Sequence, residues 1–253
     1  MTDTHCHLYA ADLLPTINEV INRALAANVH QFFLPAIDST HSKALHTVVD
    51  AFPNNCFAMA GLHPCSVKQG YEIEIQHIED LLATKKIWGI GETGLDFYWD
   101  KTFIKQQYEA LQLQIDMAIA HSLPLILHTR NAMEETIAVI KRNKHSALRG
   151  IFHCFTGSIE QANQIIEAGF YLGIGGVVTY KNAGIAEVLN SINLEHVVLE
   201  TDAPYLTPVP FRGKPNESSY LKYIAEKVAD IKRISLAEVD EITTHNAKKI
   251  FGV

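Results

Sequence analysis

Short β-rich apolar runs alternate with amphipathic stretches along the whole chain, and this alternation limits the fold more than any other feature. Eight runs are predicted as strands: Thr2–Leu8, Gln31–Ile37, Cys56–Leu62, Ile87–Glu92, Leu125–His128, Gly150–Phe155, Tyr171–Gly175 and Val197–Thr201. Helix-like segments separate them. The clearest spans Lys101–His121, where Phe103, Tyr108, Leu111, Ile115 and Ile119 form one apolar stripe and Pro124 follows as a stop. Ser158 and Ser235 are placed to cap later helices, Ser235 with capping-box spacing to Glu238. The last helix, running to about Lys249, lies beyond the eighth strand–helix cycle.

Such a rhythm demands a parallel sheet, either closed into a barrel or open and doubly wound. No glycine-rich dinucleotide fingerprint follows the first strand, as an open nucleotide-binding sheet would usually carry. The pattern alone does not separate the two; with the strand-end polar residues described below, the expectation is one α/β domain over residues 1–253, a (β/α)8 TIM barrel with an additional C-terminal helix. A composition of 47% hydrophobic and 19% charged residues supplies a sizeable core. The start MTDTHCHLYA has neither a basic leader nor an apolar run, and nothing later has the length of a membrane span, so a cytoplasmic location is expected. Cys6, Cys56, Cys65 and Cys154 lack regular spacing and read as buried free thiols. A net charge of −7 argues against broad adhesion to nucleic acid, so any phosphate recognition must be local. No feature marks an obligate protein partner.

The polar residues at the strand ends carry the chemistry. His5 and His7, two residues apart on a strand, project from one face. Glu92 ends the fourth strand, His128 the fifth, His153 follows Phe152 on the sixth, and Asp202 follows Glu200-Thr201 on the eighth. If the sheet closes, these six side chains converge at the mouth where barrel enzymes keep their chemistry; if it stays open, they scatter. Imidazole and carboxylate donors suit zinc, manganese, iron, cobalt or nickel. Six ligands exceed what one catalytic zinc uses, so two cations sharing Glu92 fit better than one. A structural zinc site would be closed and rich in thiolate, which this set is not.

These residues sit in Asp3-Thr4-His5-Cys6-His7-Leu8, Gly61-Leu62-His63-Pro64, Gly89-Ile90-Gly91-Glu92-Thr93-Gly94-Leu95-Asp96, His128-Thr129-Arg130, His153-Cys154-Phe155-Thr156-Gly157 and Glu200-Thr201-Asp202-Ala203-Pro204-Tyr205-Leu206. Through these motifs the whole chain resembles the TatD family of metal-dependent hydrolases, within the amidohydrolase-like barrels. The resemblance implies that His5, His7, Glu92 and Asp202 hold one cation while Glu92, His128 and His153 hold the other, with zinc, manganese, magnesium or cobalt as candidates. It also implies phosphoester hydrolysis, including 3'-5' deoxyribonuclease action on single-stranded DNA ends. In the segment Pro210-Phe211-Arg212-Gly213-Lys214-Pro215-Asn216-Glu217-Ser218, Pro215 stands where the family often has a basic residue and Ser218 where it often has proline.

The expected reaction is in-line attack on phosphorus by hydroxide formed from water between two cations, with Glu92 bridging them and Asp202 orienting or deprotonating that water. His63, Arg130, Arg212 and Lys214 are the candidate substrate contacts, arginine being able to grip phosphate through two bonds. Asp3 and Glu200 share strand parity with His5, His7 and Asp202, and could support ligands or serve the fold alone. Cys154 should point away from the site and pack, and His41, His46 and His77 carry no signal. The rival readings are an amidase or lactonase acting on a carbon centre, and a non-catalytic barrel that binds nucleic acid or protein. The second lacks the wide basic surface it would need.

Overall fold

The computed structural model describes residues 1–181 and 183–253. Its strands are β1 (Thr2–Asp3), β2 (Gln31–Leu34), β3 (Cys56–Ala58), β4 (Ile90–Asp96), β5 (Leu125–Arg130), β6 (Gly150–Phe152), β7 (Phe170–Ile174) and β8 (Val197–Leu199). The helices are α1 (Ile17–Ala26), α2 (Ser39–Ala51), α3 (Glu72–Thr84), α4 (Ile104–Ala120), α5 (Met133–Arg142), α6 (Ile159–Glu167), α7 (Ile185–Ser191), α8 (Leu221–Lys232) and α9 (Leu236–Phe251). Ser158 and Ser235 both cap as expected, in capping boxes with Gln161 and Glu238. Among the described residues no helix is long and apolar enough to cross a membrane.

All strand pairs are parallel, β1-β2-β3 in one ladder and β4-β5-β6-β7-β8 in another. Backbone bonds outside the ladders join the two into a ring. Between β3 and β4, Ala60 N–H donates to Gly89 O (3.1 Å) and Gly91 N–H to Ala60 O (2.8 Å). Between β8 and β1, Thr4 N–H donates to Leu199 O (3.1 Å) and Asp202 N–H to His5 O (2.9 Å). The sheet is therefore closed, and the fold is a TIM barrel.

Inside the ring, Phe33, Met59, Ile126, Ile151 and Val198 form an apolar plug. Ala247, Ile250 and Phe251 of α9 join it from below, the Phe251 ring stacking on Phe33 at 3.6 Å. The additional helix thus closes the N-terminal end of the barrel. Two-residue alternation then carries His128 and His153 inward above Ile126 and Ile151.

Several strands stop earlier than expected: β1 at Asp3, β2 at Leu34, β3 at Ala58, β6 at Phe152 and β8 at Leu199. Beyond these points the backbone leaves regular extended geometry, with Cys154 at φ 47° and Asp202 at φ 56°. In contrast β4 runs on to Asp96. Its pairing with β5 passes from Ile90↔Leu125 to Thr93↔Leu127, so β4 holds one extra residue, a bulge. The bulge turns both Gly91 and Glu92 inward. A Cβ on Gly91 would lie 2.6 Å from Ile126 Cβ, which is why glycine stands there.

Candidate metal centre

The six strand-end residues singled out from the sequence meet at the C-terminal mouth. His5 Nε2 lies 3.3 Å from His7 Nε2, 3.2 Å from Glu92 Oε2 and 3.5 Å from Asp202 Oδ1. His7 Nε2 is 3.5 Å from each of the same two carboxylate oxygens. Donors about 2.0–2.2 Å from a common tetrahedral centre stand roughly 3.3–3.6 Å apart, so these four atoms have the spacing of a cation cage. The other oxygen of Glu92 faces a second group: Oε1 is 3.0 Å from His128 Nδ1, 3.0 Å from His153 Nε2 and 3.4 Å from His63 Nε2.

Hydrogen bonds behind the rings set which nitrogen faces inward. Tyr9 Oη donates to Pro35 O (2.6 Å) and therefore accepts from His7 Nδ1–H (2.8 Å), leaving the His7 Nε2 lone pair for the cage. His63 is set the other way. Cys65 N–H donates to its Nδ1 (3.1 Å), so Nε2 carries the proton, 3.4 Å from Glu92 Oε1. His63 is thereby a donor at the mouth, and not a lone pair available to a cation.

Three acidic residues support the arrangement. Asp96 Oδ2 lies 2.9 Å from His128 Nε2, while its Oδ1 accepts from the Tyr98 and Trp99 amides. Asp96 stands in one of the sequence motifs but beyond the expected end of the fourth strand at Glu92, where nothing in the sequence assigns it a role. Tyr9 was missed as well. Glu200 Oε1 sits 3.3 Å from His153 Nδ1 and accepts from Cys154 N–H. Asp3 instead accepts from Thr201 N–H (2.9 Å) and Thr201 Oγ1–H (2.6 Å), tying β1 to the chain after β8.

Burial works against charge throughout the site, and the neighbours decide which groups keep it. Burial disfavours the Glu92 carboxylate, yet His153, His5 and His63 beside it and the bond from His128 hold it well below its usual range. Asp202 is likewise lowered against burial by His7, His153 and His5. His7 is raised to about 9, its bonds to Asp202 and Glu92 outweighing burial. His5 is lowered by burial and by the imidazole of His153, stacked on it at 3.9 Å. Asp3, with burial as the dominant influence, is raised to about 7.

The model of the family described as TatD related DNase matches residues 2–252. The chain belongs to the TatD family. The metal-dependent hydrolase YabD of Bacillus subtilis is 40% identical over 253 residues, covering 99% of this chain and 98% of its own. The metal-dependent hydrolase YcfH of Escherichia coli K12 is 32% identical over 259 residues, covering 100% and 96%. Among solved structures, the TatD homolog YJJV of Escherichia coli K12 superposes with a TM-score of 0.94 at 25% identity, covering 100% and 98%. A TatD family hydrolase from Entamoeba histolytica gives 0.84 at 21% identity, covering 99% and 97%, a likeness of fold. The chain is thus a metal-dependent hydrolase with a His, Asp and Glu cluster able to hold metal.

In this TatD-family barrel a cavity of about 740 Å³ opens above the cluster. His63 and Arg130, two of the four expected substrate contacts, line it. Arg212 and Lys214 lie outside that lining: Arg212 packs over Tyr180 at 4.3 Å, and Lys214 is exposed. The segment that carries them is pinned further along. Asn216 Nδ2 donates to Thr201 O and Tyr205 O at 2.7 Å each, and Glu217 pairs with Arg23 at 2.6 Å. Cys154 departs from its expected packing role and lines the cavity, because its left-handed backbone breaks strand parity. Cys65 lines it too, half-buried, with Sγ 3.4 Å from Asp96 Oδ2, so only Cys6 and Cys56 are fully buried thiols.

Proposed function

We propose that this TatD-family hydrolase cleaves phosphodiester bonds using two divalent cations, and acts as a 3'-5' deoxyribonuclease on single-stranded DNA ends. The observation that carries the reading is the division of Glu92, whose two oxygens face two separate donor groups. His5, His7, Glu92 and Asp202 would hold one cation, and Glu92, His128 and His153 the other. Zinc, manganese, magnesium and cobalt are the candidates. Divalent cations held there supply Lewis acidity and make water a nucleophile near neutral pH.

The chain's own groups do the rest. Asp202, ionised and at the cavity edge, orients the attacking water and accepts its proton. His63 presents its Nε2–H to a phosphate oxygen, and Arg130 offers guanidinium donors above the same cavity. Buried imidazoles and carboxylates hold these positions before substrate arrives, which removes reorganisation from the reaction.

Metal-stripped protein, titrated with each cation in turn, tests the reading on end-labelled single strands beside a panel of amides and lactones. Activity on strands that rises with metal, proceeds from the 3' end and is lost in His128→Ala supports it. Turnover of amides or lactones alone overturns it in favour of carbon-centred chemistry. Asp202→Asn should abolish turnover while sparing much of the metal binding; unchanged turnover removes Asp202 from its role.

A further inference from the structure

Seven large apolar side chains stand out as exposed among the described residues, and five of them fall in two loops at the mouth. Tyr98 and Trp99 follow β4; Tyr205, Leu206 and Val209 follow β8. Exposed apolar surface gathered around a charged cavity marks a binding surface. Trp99 is 66% exposed and lines the cavity, yet it is held in place. Its amide donates to Asp96 Oδ1 (3.0 Å), the carboxylate whose other oxygen holds His128. Its ring meets Tyr98 edge to face at 4.9 Å, and the Arg130 guanidinium lies 4.2 Å over Tyr98 and 5.2 Å from the Trp99 ring. On the other side of the donor cluster, Tyr205 is 54% exposed, with its ring 5.9 Å from that of His7.

We infer that Trp99, steadied by Tyr98 and Arg130, is a stacking platform for a nucleobase of single-stranded nucleic acid whose phosphodiester lies over the donor cluster. This rests on the phosphodiesterase reading above and names what that site grips. The occupant follows from the chemistry: a flat ring wanting a π-face, joined through one sugar to an anion wanting a guanidinium. An aromatic ring beside arginine offers both, and does so for any base. A chain of net charge −7 has little general attraction for polynucleotide, so such local contacts must supply affinity. A cavity of about 740 Å³ lies in the range of small-molecule sites and has room for a single nucleotide.

The two tryptophans are Trp88, packed against Phe57 at the opposite end of the barrel, and Trp99, so Trp88→Phe leaves an emission that reports the platform alone. Metal-loaded Trp88→Phe protein is titrated with a cleavage-resistant phosphorothioate oligothymidylate and with the same strand lacking its 3'-terminal bases. Quenching by the intact strand and not by the abasic one is expected. In parallel, wild-type KM should rise about 5–150-fold on the cleavable abasic-ended strand, the range one stacked base supplies. Trp99→Ala should raise KM similarly on the intact strand with little change in kcat, and should have no further effect on the abasic one. Trp99→Phe should restore most of the loss. Equal effects of Trp99→Ala on both strands, or quenching indifferent to the base, overturn the platform. Base-dependent quenching without strand cleavage keeps the platform and removes the nuclease reading; cleavage indifferent to the base does the reverse.

Discussion

Single hydrogen bonds to atoms outside the cage decide what each imidazole can do. Tyr9 fixes His7 with its lone pair inward, the Cys65 amide fixes His63 with its proton inward, and Asp96 grips the far edge of His128. Partners of this kind commonly change metal affinity or activity about 10–100-fold, so Asp96→Asn should lower metal affinity by that order while far-UV circular dichroism stays unchanged. Undiminished affinity would remove Asp96 from its supporting role. Protonation gives a second prediction. His7 rises to about 9 from an ordinary value of 6.5, so its charge stabilises the metal-free fold fully below pH 6.5 and ceases to do so as pH rises through 9. A cation must displace that proton, and apparent metal affinity should therefore climb between pH 6.5 and about 9, with proton release in weakly buffered titration. Affinity flat across that window contradicts the assignment. The six donors were legible because HxH parity and strand-end position need no tertiary knowledge. Tyr9 and Asp96 were not: one acts through a carbonyl distant in sequence, and the other lies past a bulge that lengthens β4.

At the scale of elements, the strand–helix rhythm is readable because its periodicity is local, and the closed barrel is expected from it together with the strand-end ligands, but the particular bonds that close the ring are not. Closure runs through Ala60, Thr4 and Asp202, which lie outside the regular ladders. The β4 bulge was equally hidden, since only its register with β5 reveals the extra residue. Strand parity failed at Cys154 for a related reason: the sixth strand ends before it, and the turn brings its side chain round to the cavity. The additional helix was expected but given no task, and the structure gives it one. Phe251 is buried against Phe33 at the end of the barrel remote from the donor cluster. Phe251→Ala should cost about 3–5 kcal/mol of stability, the usual loss for a buried phenylalanine, measured by denaturant unfolding. Activity per folded molecule should stay the same. A collapse of activity with stability intact would mean that α9 reaches the site in some other way.

For the whole molecule, the closed ring turns residues scattered from His5 to Asp202 into one cluster, and the apolar plug beneath keeps that cluster at one end. The chain is acidic overall and its cavity carries Glu92, Asp96 and Asp202 beside Arg130, so on the proposed reading a polyanion is gripped through bound cations and the local pair of Arg130 and Trp99. Everything proposed about chemistry depends on Glu92 serving two cations at once. The most direct test is metal content per chain after reconstitution and desalting, determined by elemental mass spectrometry beside His128→Ala. The account predicts two equivalents in the wild-type protein and one in the variant, with hydrolysis lost alongside the second. Full activity with a single equivalent, or a His128→Ala protein that retains both, would contradict it.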